Sequence, residues 1–346
     1  MYVRFCEEFG YKDIWMRDLT AAEKEDRVVK FLGHQRLVRH NQIDALHGKK
    51  CAIQHEFKIR GYRDPTLGIR VPMLLRGIRR VDSAKGKRRK WPVLRRHLLK
   101  ARELVDLGTL GGSTLWVCLL FMFFFLLRSR NVVAYDGRWD YSLDYILCHG
   151  DIILLDKDKN HLSLEKVLRT AGGEDRVAGL EIHVKKNKSD QEGKGYFRRQ
   201  YRSGDKDLCI VTAYLVHCKM VRTMHKVLRR EAPVASVSPR YDHHSDSHSE
   251  EEEIEKLPCI RRKDITMILK RAIESIGEKQ EDFGSHSLRI GGATAMRTAG
   301  FSDSFIGWFG GWKSRSYVVY FATTCEELEA DIAMRMSKVD AKVYAR

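Results

Sequence analysis

Residues 115–127 constrain the fold more than any other part of the sequence, because they form an unbroken apolar run of thirteen residues. A helix needs about 20 apolar residues to cross a bilayer, so this run is too short for a membrane-spanning helix. A helix that is apolar on all sides is otherwise found inside a protein core. The run therefore predicts a buried central helix, and we expect no membrane partner.

The sequence before this helix predicts a helical domain over residues 1–84. A chain of 346 residues typically forms two or three domains. Thr20 is a candidate helix cap. Apolar residues follow it at helical spacing, namely Val28, Val29, Leu32, Leu37 and Val38.

Residues 85–91 predict an extended, solvated linker between domains. The hexapeptide Lys85-Gly-Lys-Arg-Arg-Lys90 contains no apolar residue, and Pro92 follows it closely. A nuclear import signal is an alternative interpretation that is compatible with a linker. If the source is eukaryotic, we expect the protein in the nucleus.

Residues 92–330 show a mixed pattern that predicts a second domain. Helices are expected at 94–107, at 113–127, from 208, and from 264 to the stop at Gly277, and strands at 151–155, 180–184 and 196–201. Residues 231–256 have low hydrophobicity and a run of glutamates, which predicts a disordered acidic insertion. Residues 331–346 are expected to form a tail or helix. The fold class predicted is mainly α with a small antiparallel β-sheet.

The charge of the chain favours a polyanionic partner. There are 63 Lys and Arg against 46 Asp and Glu, a net charge of +17. Residues 70–102 alone contain thirteen Lys or Arg and one acidic residue, Asp82. Such a concentration indicates a strip that binds nucleic acid or a membrane surface, and the short apolar run disfavours the membrane.

The cysteines and histidines give no sign of a metal site. The eight cysteines are scattered without a CxxC pair, so we expect reduced and mostly buried thiols. His243, His244 and His248 lie in the acidic insertion, where no structured partner ligand is evident. No carboxylate cluster of the kind that holds Mg²⁺ and no GxxxxGK[ST] motif occurs. We predict neither a metal nor a cofactor.

Three segments instead contain groups suited to metal-free chemistry on a phosphodiester. His286 and Arg289 lie three residues apart on a starting helix, so both side chains can address one phosphate. Arg128 ends the apolar run, where its planar guanidinium would be held rigidly and could bind phosphate oxygens. Alternatively, Arg128 only caps the helix, as the helix dipole favours. Trp312 supplies an indole N–H, and Tyr317 or Tyr320 a nucleophile. Gly291 and Gly292 permit close backbone approach.

Taken together, these segments resemble the catalytic domain of tyrosine recombinases, the phage-integrase-like enzymes. The similarity lies in His286-Ser-Leu-Arg-Ile-Gly-Gly-Ala-Thr-Ala295 followed by Gly-Gly-Trp-Lys-Ser and a tyrosine, and in the upstream Phe-Leu-Leu-Arg-Ser. Within this family, the sequence is most similar to the recombinases of Crypton and DIRS mobile elements. Residues 92–325 resemble the catalytic domain, and residues 51–65 are similar to the end of the helical core-binding domain.

The resemblance implies a role for each catalytic residue. Arg128 and Arg289 would clamp the scissile phosphate, and His286 would accept and donate a proton. Lys188, in a hairpin over residues 184–195 that resembles the family's lysine hairpin, would protonate the leaving 5′-oxygen. Trp312 takes the place that many relatives give to a second histidine. Tyr320, eight residues after Trp312 and near the family spacing, would form a 3′-phosphotyrosyl bond. Tyr317 is the alternative candidate for the nucleophile.

Double-stranded DNA is the expected partner, and the resemblance implies a tetramer on two duplexes. The two domains would clamp the duplex. The predicted phosphate contacts are Arg76, Arg79, Arg80, Lys85, Lys87, Arg88, Arg89, Lys90, Lys185 and Lys186.

One residue departs from the family pattern and keeps alternatives open. Relatives usually have an acidic residue three positions after the first arginine, where this chain has Asn131. The loss of the acidic residue raises the alternative of a catalytically silent DNA-binding protein derived from a recombinase. A second alternative is a type IB topoisomerase, which shares the tyrosine chemistry, although the mobile-element motifs weigh against it.

Overall fold

A computed structural model describes residues 1–84, 90–186, 190, 192–225, 229–237 and 257–312. The chain divides between Arg89 and Lys90 into two compact units. Each has its own apolar core.

The N-terminal unit is built from helices that bury one face each. They are α1 (Tyr2–Glu8), α2 (Ala21–Leu37), α3 (Ile43–Ile59) and α4 (Arg70–Ala84). The prediction that Thr20 caps a helix is confirmed, since its side chain accepts a hydrogen bond from the Glu23 amide in a reciprocal capping box. Val28 and Leu32 are buried, whereas Leu37, the last residue of α2, is 75% exposed.

The C-terminal unit surrounds the predicted central helix. Its helices are α5 (Arg95–Leu104), α6 (Leu110–Phe124), α7 (Leu164–Arg169), α8 (Ile210–His225), α9 (Arg262–Glu274), α10 (His286–Thr298) and α11 (Asp303–Phe309). Helix α6 lies in the core against α8 and α10 and is buried on nearly all sides. Within the described ranges, no helix is long and apolar enough to span a bilayer.

A four-stranded antiparallel sheet completes this unit. The strands are β1 (Ile152–Leu155), β2 (His161–Leu162), β3 (Gly179–Val184) and β4 (Tyr196–Tyr201), in the order β2-β1-β3-β4. Strand β3 pairs with β4 in full register, from Gly179 opposite Tyr201 to Val184 opposite Tyr196. The predicted fold class is therefore confirmed. The short strand β2 was not predicted, because two residues give no periodicity.

The predicted start of the acidic insertion at residue 231 is wrong. Val234 and Ala235 are fully buried, and the Val234 amide donates to the Leu147 carbonyl. Pro233 and Ser236 form β-bridges with Cys148 and Cys259. The small apolar residues among the prolines thus have tertiary partners that local composition does not reveal. The remainder of the insertion, residues 238–256, lies outside the described residues.

Two buried histidines, His149 and His217 on α8, make the stability of the protein sensitive to acid. The imidazoles of His149 and His217 stack with ring centroids 5.8 Å apart, and the Tyr214 hydroxyl lies 3.0 Å from His149 Nδ1. Burial, and then the neighbouring His217, lowers the pKa of His149 to about 3, and burial lowers the pKa of His217 to about 4. Both rings are therefore neutral in the folded protein at neutral pH.

We expect the free energy of unfolding to fall as the pH drops below about 6.5, the pKa of an unfolded histidine. Between that pH and the folded values the unfolded chain binds more protons, so each ring contributes a slope of up to about 1.4 kcal/mol per pH unit. Urea unfolding at several pH values checks this. His217→Leu should flatten the slope, whereas the exposed His161→Ala should not. Equal slopes in wild type and His217→Leu would refute the assignment.

Candidate active site

The sequence predicted that Arg128 would end the central helix. In the structure, Arg128 lies in a turn after α6. The helix ends at Phe124, and Leu126 has a left-handed backbone with a φ of 52°. Arg128 is extended and leads into a 3₁₀ turn at Ser129–Asn131. The side chain of Arg128 is half-buried, and no carboxylate among the described residues pairs with it. The turn thus presents a cation at the edge of the core.

Helix α10 approaches its neighbours closely through the two glycines of the HSLRIGG motif. A Cβ at Gly291 would lie 1.9 Å from the Val93 carbonyl oxygen, and one at Gly292 would lie 2.1 Å from the Phe123 carbonyl oxygen. No side chain fits at either distance. The predicted close backbone approach is therefore confirmed, and it places the start of α10 against the end of α6.

Arg289 connects the segments that carry the other two predicted residues. It is 1% exposed, and its Nη1 donates to the Leu126 carbonyl, while its Nη2 donates to the Gly310 carbonyl at 2.7 Å. Its guanidinium carbon lies 3.9 Å from the centroid of the Trp312 ring, a cation–π contact. A single planar guanidinium thus fixes the backbone just before Arg128 and just before Trp312.

His286 begins α10 and is exposed to solvent, but its imidazole is partly enclosed by protein atoms. That partial burial, followed by the positive charges of Arg289 and Arg128, lowers the pKa of His286 to about 4. Arg289 follows His286 by one turn of α10, and its Nη1 donates to the Leu126 carbonyl two residues before Arg128, so the three residues lie on adjoining segments. At neutral pH the imidazole is uncharged and has a nitrogen able to accept a proton.

The approach to Trp312 is held by an arginine that the sequence analysis missed. Buried Arg198 on β4 donates to the carbonyls of Trp308 and of Phe309, the latter at 2.8 Å, at the end of α11. A charged residue at an inward position of a strand requires polar partners, and this was the available signal. Gly311 then takes a left-handed backbone with a φ of 66°.

Tyr196 belongs to the same cluster and was also missed. Its hydroxyl lies against Gly311, where a Cβ would be 3.0 Å from it, and the Arg198 guanidinium lies 4.3 Å from the centroid of its ring. Burial raises the pKa of Tyr196, while the charges of Arg289, Arg198 and Arg128 oppose that rise. Tyr196 thus packs between Arg198 and the Gly311 turn that leads to Trp312.

The other predicted site residues either lie outside the described ranges or have contacts of their own. Lys188, Tyr317 and Tyr320 lie outside the described residues, as do Lys85, Lys87, Arg88 and Arg89. Lys185 forms an ion pair with Asp151 at 2.8 Å, and the contact of its ammonium with phosphate stays a prediction. The Lys186 ammonium lies 5.5 Å from the centroid of the Tyr145 ring.

Among the predicted phosphate contacts, the arginines on α4 are exposed, whereas Lys90 is bound by backbone carbonyls. Arg76, Arg79 and Arg80 are on the outer face of α4, opposite the buried Val71 and Leu75. Lys90 is bound into the C-terminal unit instead of a solvated linker, because its ammonium donates to the Glu281 carbonyl at 2.6 Å and the Phe283 carbonyl at 3.3 Å. The predicted linker boundary at residue 91 is wrong for this reason.

A basic groove that the sequence analysis did not identify runs along α9 to His286. Its lining includes Lys90, Arg262, Lys263, Lys270, Arg271 and His286, and we call it the α9 groove. The cations recur on one face of α9, opposite the buried Ile265, Ile268 and Leu269. In the part of the chain that the structure describes, no cluster of His, Cys, Asp or Glu could hold a metal ion.

Comparison with known proteins identifies the fold. No protein-family model and no curated protein matches the sequence. The structure of the XerH site-specific recombinase bound to a palindromic difH substrate, in a post-cleavage complex, matches with a TM-score of 0.52 and 14% identity, over 96% of this chain and 77% of that chain. The Tn1549 transposon integrase with transposon right-end DNA matches with a TM-score of 0.42 and 7% identity, over 91% and 86%. The chain has the fold of a tyrosine recombinase.

Proposed function

We propose that the protein is a site-specific tyrosine recombinase that breaks and rejoins DNA through a 3′-phosphotyrosyl intermediate. The observation that carries the proposal is the convergence of Arg128, His286, Arg289 and Trp312, from segments up to 184 residues apart in sequence, on one cluster beside a basic groove. The XerH-like fold supports it. The motifs also favour an origin in a mobile element.

In the proposed reaction, the Tyr320 oxygen attacks the scissile phosphorus and the bond to the 5′-oxygen breaks. Arg128 and Arg289 neutralise the non-bridging oxygens. Partial burial, and then the two arginines, lower the pKa of His286, so the neutral imidazole accepts the phenolic proton. Lys188 donates a proton to the departing 5′-oxygen. A 5′-hydroxyl of a second strand then reverses the step, so the phosphodiester is remade without an external energy source.

Trp312 and the two missed residues give the cluster its geometry. The indole ring supports the Arg289 guanidinium from one face, and Arg198 fixes the backbone that leads to Trp312. Trp312 precedes Tyr320 by eight residues, so this anchoring controls where the nucleophile segment starts.

We further propose self-association to a tetramer on DNA. The nuclear localisation also remains a prediction.

A catalytically silent DNA-binding protein with the same fold is the competing function, and Asn131 is the observation that favours it. The two functions differ in one result. A nicked suicide duplex that bears the genuine site, incubated with the protein in EDTA, should give a covalent protein–DNA adduct. Binding of the same duplex without any adduct would favour the silent protein.

Neutralising the α9 groove should weaken DNA binding and its salt dependence. The double variant Lys263→Ala/Lys270→Ala removes two cations of this groove, so the slope of log K against log salt should become less negative by about 2. Binding titrations at several salt concentrations measure this. Lys157→Ala/Lys166→Ala, which changes two exposed lysines outside the groove, is the matched control. The groove is not a DNA site if both double variants keep the wild-type slope.

A further inference from the structure

Tyr145 lies beside the Arg128 turn and is fixed there by backbone hydrogen bonds. Asn131, which ends that turn, is 4% exposed. Its side-chain Nδ2 donates to the Tyr145 carbonyl at 3.2 Å and to the Lys186 carbonyl at 2.9 Å. Its own carbonyl accepts a hydrogen bond from the Leu147 amide at 2.9 Å. Three segments of the chain therefore meet beside Arg128, and they hold Tyr145 and Lys186 close together.

Arg130, Tyr145 and Lys186 form a group of two cations over one aromatic ring, which we call the Tyr145 cluster. The Arg130 guanidinium carbon lies 4.3 Å from the centroid of the Tyr145 ring, and the Lys186 ammonium nitrogen lies 5.5 Å from it. Both distances are within the roughly 6 Å over which an aromatic face attracts a cation. Arg130 is exposed and the other two residues are half-buried. The ring thus holds two long, charged side chains at the protein surface.

The positive charge of the Tyr145 cluster is not neutralised by an acidic residue in the described ranges. Neither Arg130 nor Lys186 forms an ion pair there, whereas the neighbouring Lys185 is paired with Asp151 at 2.8 Å. Two like charges held over one ring repel each other, and an anion bound to both would offset that repulsion. The cluster is therefore suited to binding an anion.

The position of the cluster indicates which anion it binds. Arg130 follows Arg128, the proposed clamp of the scissile phosphate, by two residues, which span at most about 7 Å. The two arginines can therefore contact neighbouring phosphates of one DNA strand at the same time. The net charge of +17 also favours a polyanion over a small free anion.

We propose that the Tyr145 cluster is a second phosphate-binding site, which holds the backbone phosphate next to the scissile one on the same strand. This inference rests on the proposed recombinase function, which assigns the scissile phosphate to Arg128. The ring preorganises the two cations, so less side-chain freedom is lost when the strand binds. The cluster positions the strand and reads no sequence, because phosphate contacts carry no base information.

The charges of the cluster are tested by binding a duplex of arbitrary sequence at several salt concentrations. Arg130→Gln/Lys186→Gln removes both cations and leaves the Lys186 backbone carbonyl in place for Asn131. The slope of log K against log salt should become less negative by about 2. Lys157→Gln/Lys166→Gln, which changes two exposed lysines elsewhere in the same unit, should keep the wild-type slope. A wild-type slope in the Arg130→Gln/Lys186→Gln protein would overturn the site.

The role of the ring is tested by Tyr145→Leu, which keeps both cations and removes the face that holds them. Affinity for the same duplex should fall at least about 5-fold at an unchanged salt slope, because two long side chains must then be ordered on binding. Tyr145→Phe keeps the ring and should bind as wild type does. Equal losses in the two variants would refute the role of the ring. If Tyr145→Leu does not fold, the salt slopes of the charge variants decide.

A single neutral phosphate locates the site on the strand. In two suicide duplexes, a methylphosphonate, which has no negative charge, replaces the phosphate on one side or the other of the scissile bond. One of these substitutions should slow wild-type adduct formation about 10-fold, the effect of losing a hydrogen bond to a charged group. The same substitution should slow the Arg130→Gln/Lys186→Gln protein less than about 2-fold, because the contact is already absent. Equal slowing of both proteins would refute this location.

Two further outcomes separate this site from the proposed function. Wild-type protein that binds DNA but forms no adduct would refute the recombinase function, while the salt slopes would still decide whether the Tyr145 cluster binds phosphate. Inorganic phosphate at constant ionic strength should not displace DNA from wild type more than chloride does. Displacement from wild type but not from the Arg130→Gln/Lys186→Gln protein would reveal a site for small anions and overturn the proposal.

Discussion

Replacing Arg289 by lysine is expected to slow covalent attachment to DNA by about 10³-fold, the range found when one stabilising donor of a developing oxyanion is removed. The guanidinium serves the Leu126 and Gly310 carbonyls and stacks on Trp312 at the same time. An ammonium is a point charge without a planar fork or a face that stacks. Lysine therefore cannot hold the two carbonyls and also clamp a phosphate. Single-turnover adduct formation on a suicide duplex measures the loss.

Arg297→Lys provides the control for Arg289→Lys. Arg297 is on the same helix, α10, but it lies near Asp303 at 4.0 Å and outside the catalytic cluster. Its variant should cleave at nearly the wild-type rate. The thermal midpoint of Arg289→Lys shows whether any loss of activity comes from unfolding. A folded Arg289→Lys protein that cleaves as fast as wild type would show that Arg289 has only a structural role.

Tyr320→Phe should abolish adduct formation entirely while it leaves non-covalent binding of the same duplex unchanged. Phenylalanine keeps the ring and removes only the oxygen that would form the bond to phosphorus. Tyr317→Phe is the matched control, three residues away, and should cleave normally. Both residues lie outside the described part of the chain, so the assignment rests on the spacing from Trp312. An adduct that persists in Tyr320→Phe and disappears in Tyr317→Phe would move the nucleophile to Tyr317.

Much of the fold could be predicted because local pattern and tertiary environment agree there. The apolar run over residues 115–127 has no stable place except a core, and α6 is buried accordingly. Thr20 and Glu23 have a reciprocal capping arrangement that is readable from their spacing. Strands β1, β3 and β4 lie within one residue of their predicted bounds.

Features that depend on distant partners could not be predicted. The left-handed backbone at Leu126 ends α6 before Arg128, although leucine gives no turn signal. The engagement of Lys185 by Asp151 joins residues 34 positions apart, which no local pattern encodes. The basic face of α9 is a common helical pattern, and only its proximity to His286 distinguishes it.

Asn131 shows the same limit at the level of function. In the sequence it differs from the family pattern, which suggests a loss. In the structure its amide has two carbonyl acceptors that no carboxylate can satisfy. The meaning of a substitution depends on the donors and acceptors around it, and these become known only when the segments are assembled.

The most direct test of the proposed chemistry is the identity of the atom that becomes bonded to DNA. Wild-type protein is incubated with a suicide duplex in EDTA, digested with trypsin, and the DNA-linked peptide is fragmented by mass spectrometry. We expect residues 316–335 to carry the 3′-phosphate of the cleaved strand on Tyr320. Attachment through a 5′-phosphate, attachment to a residue outside this peptide, or cleavage that gives no covalent protein–DNA bond would contradict the proposed mechanism.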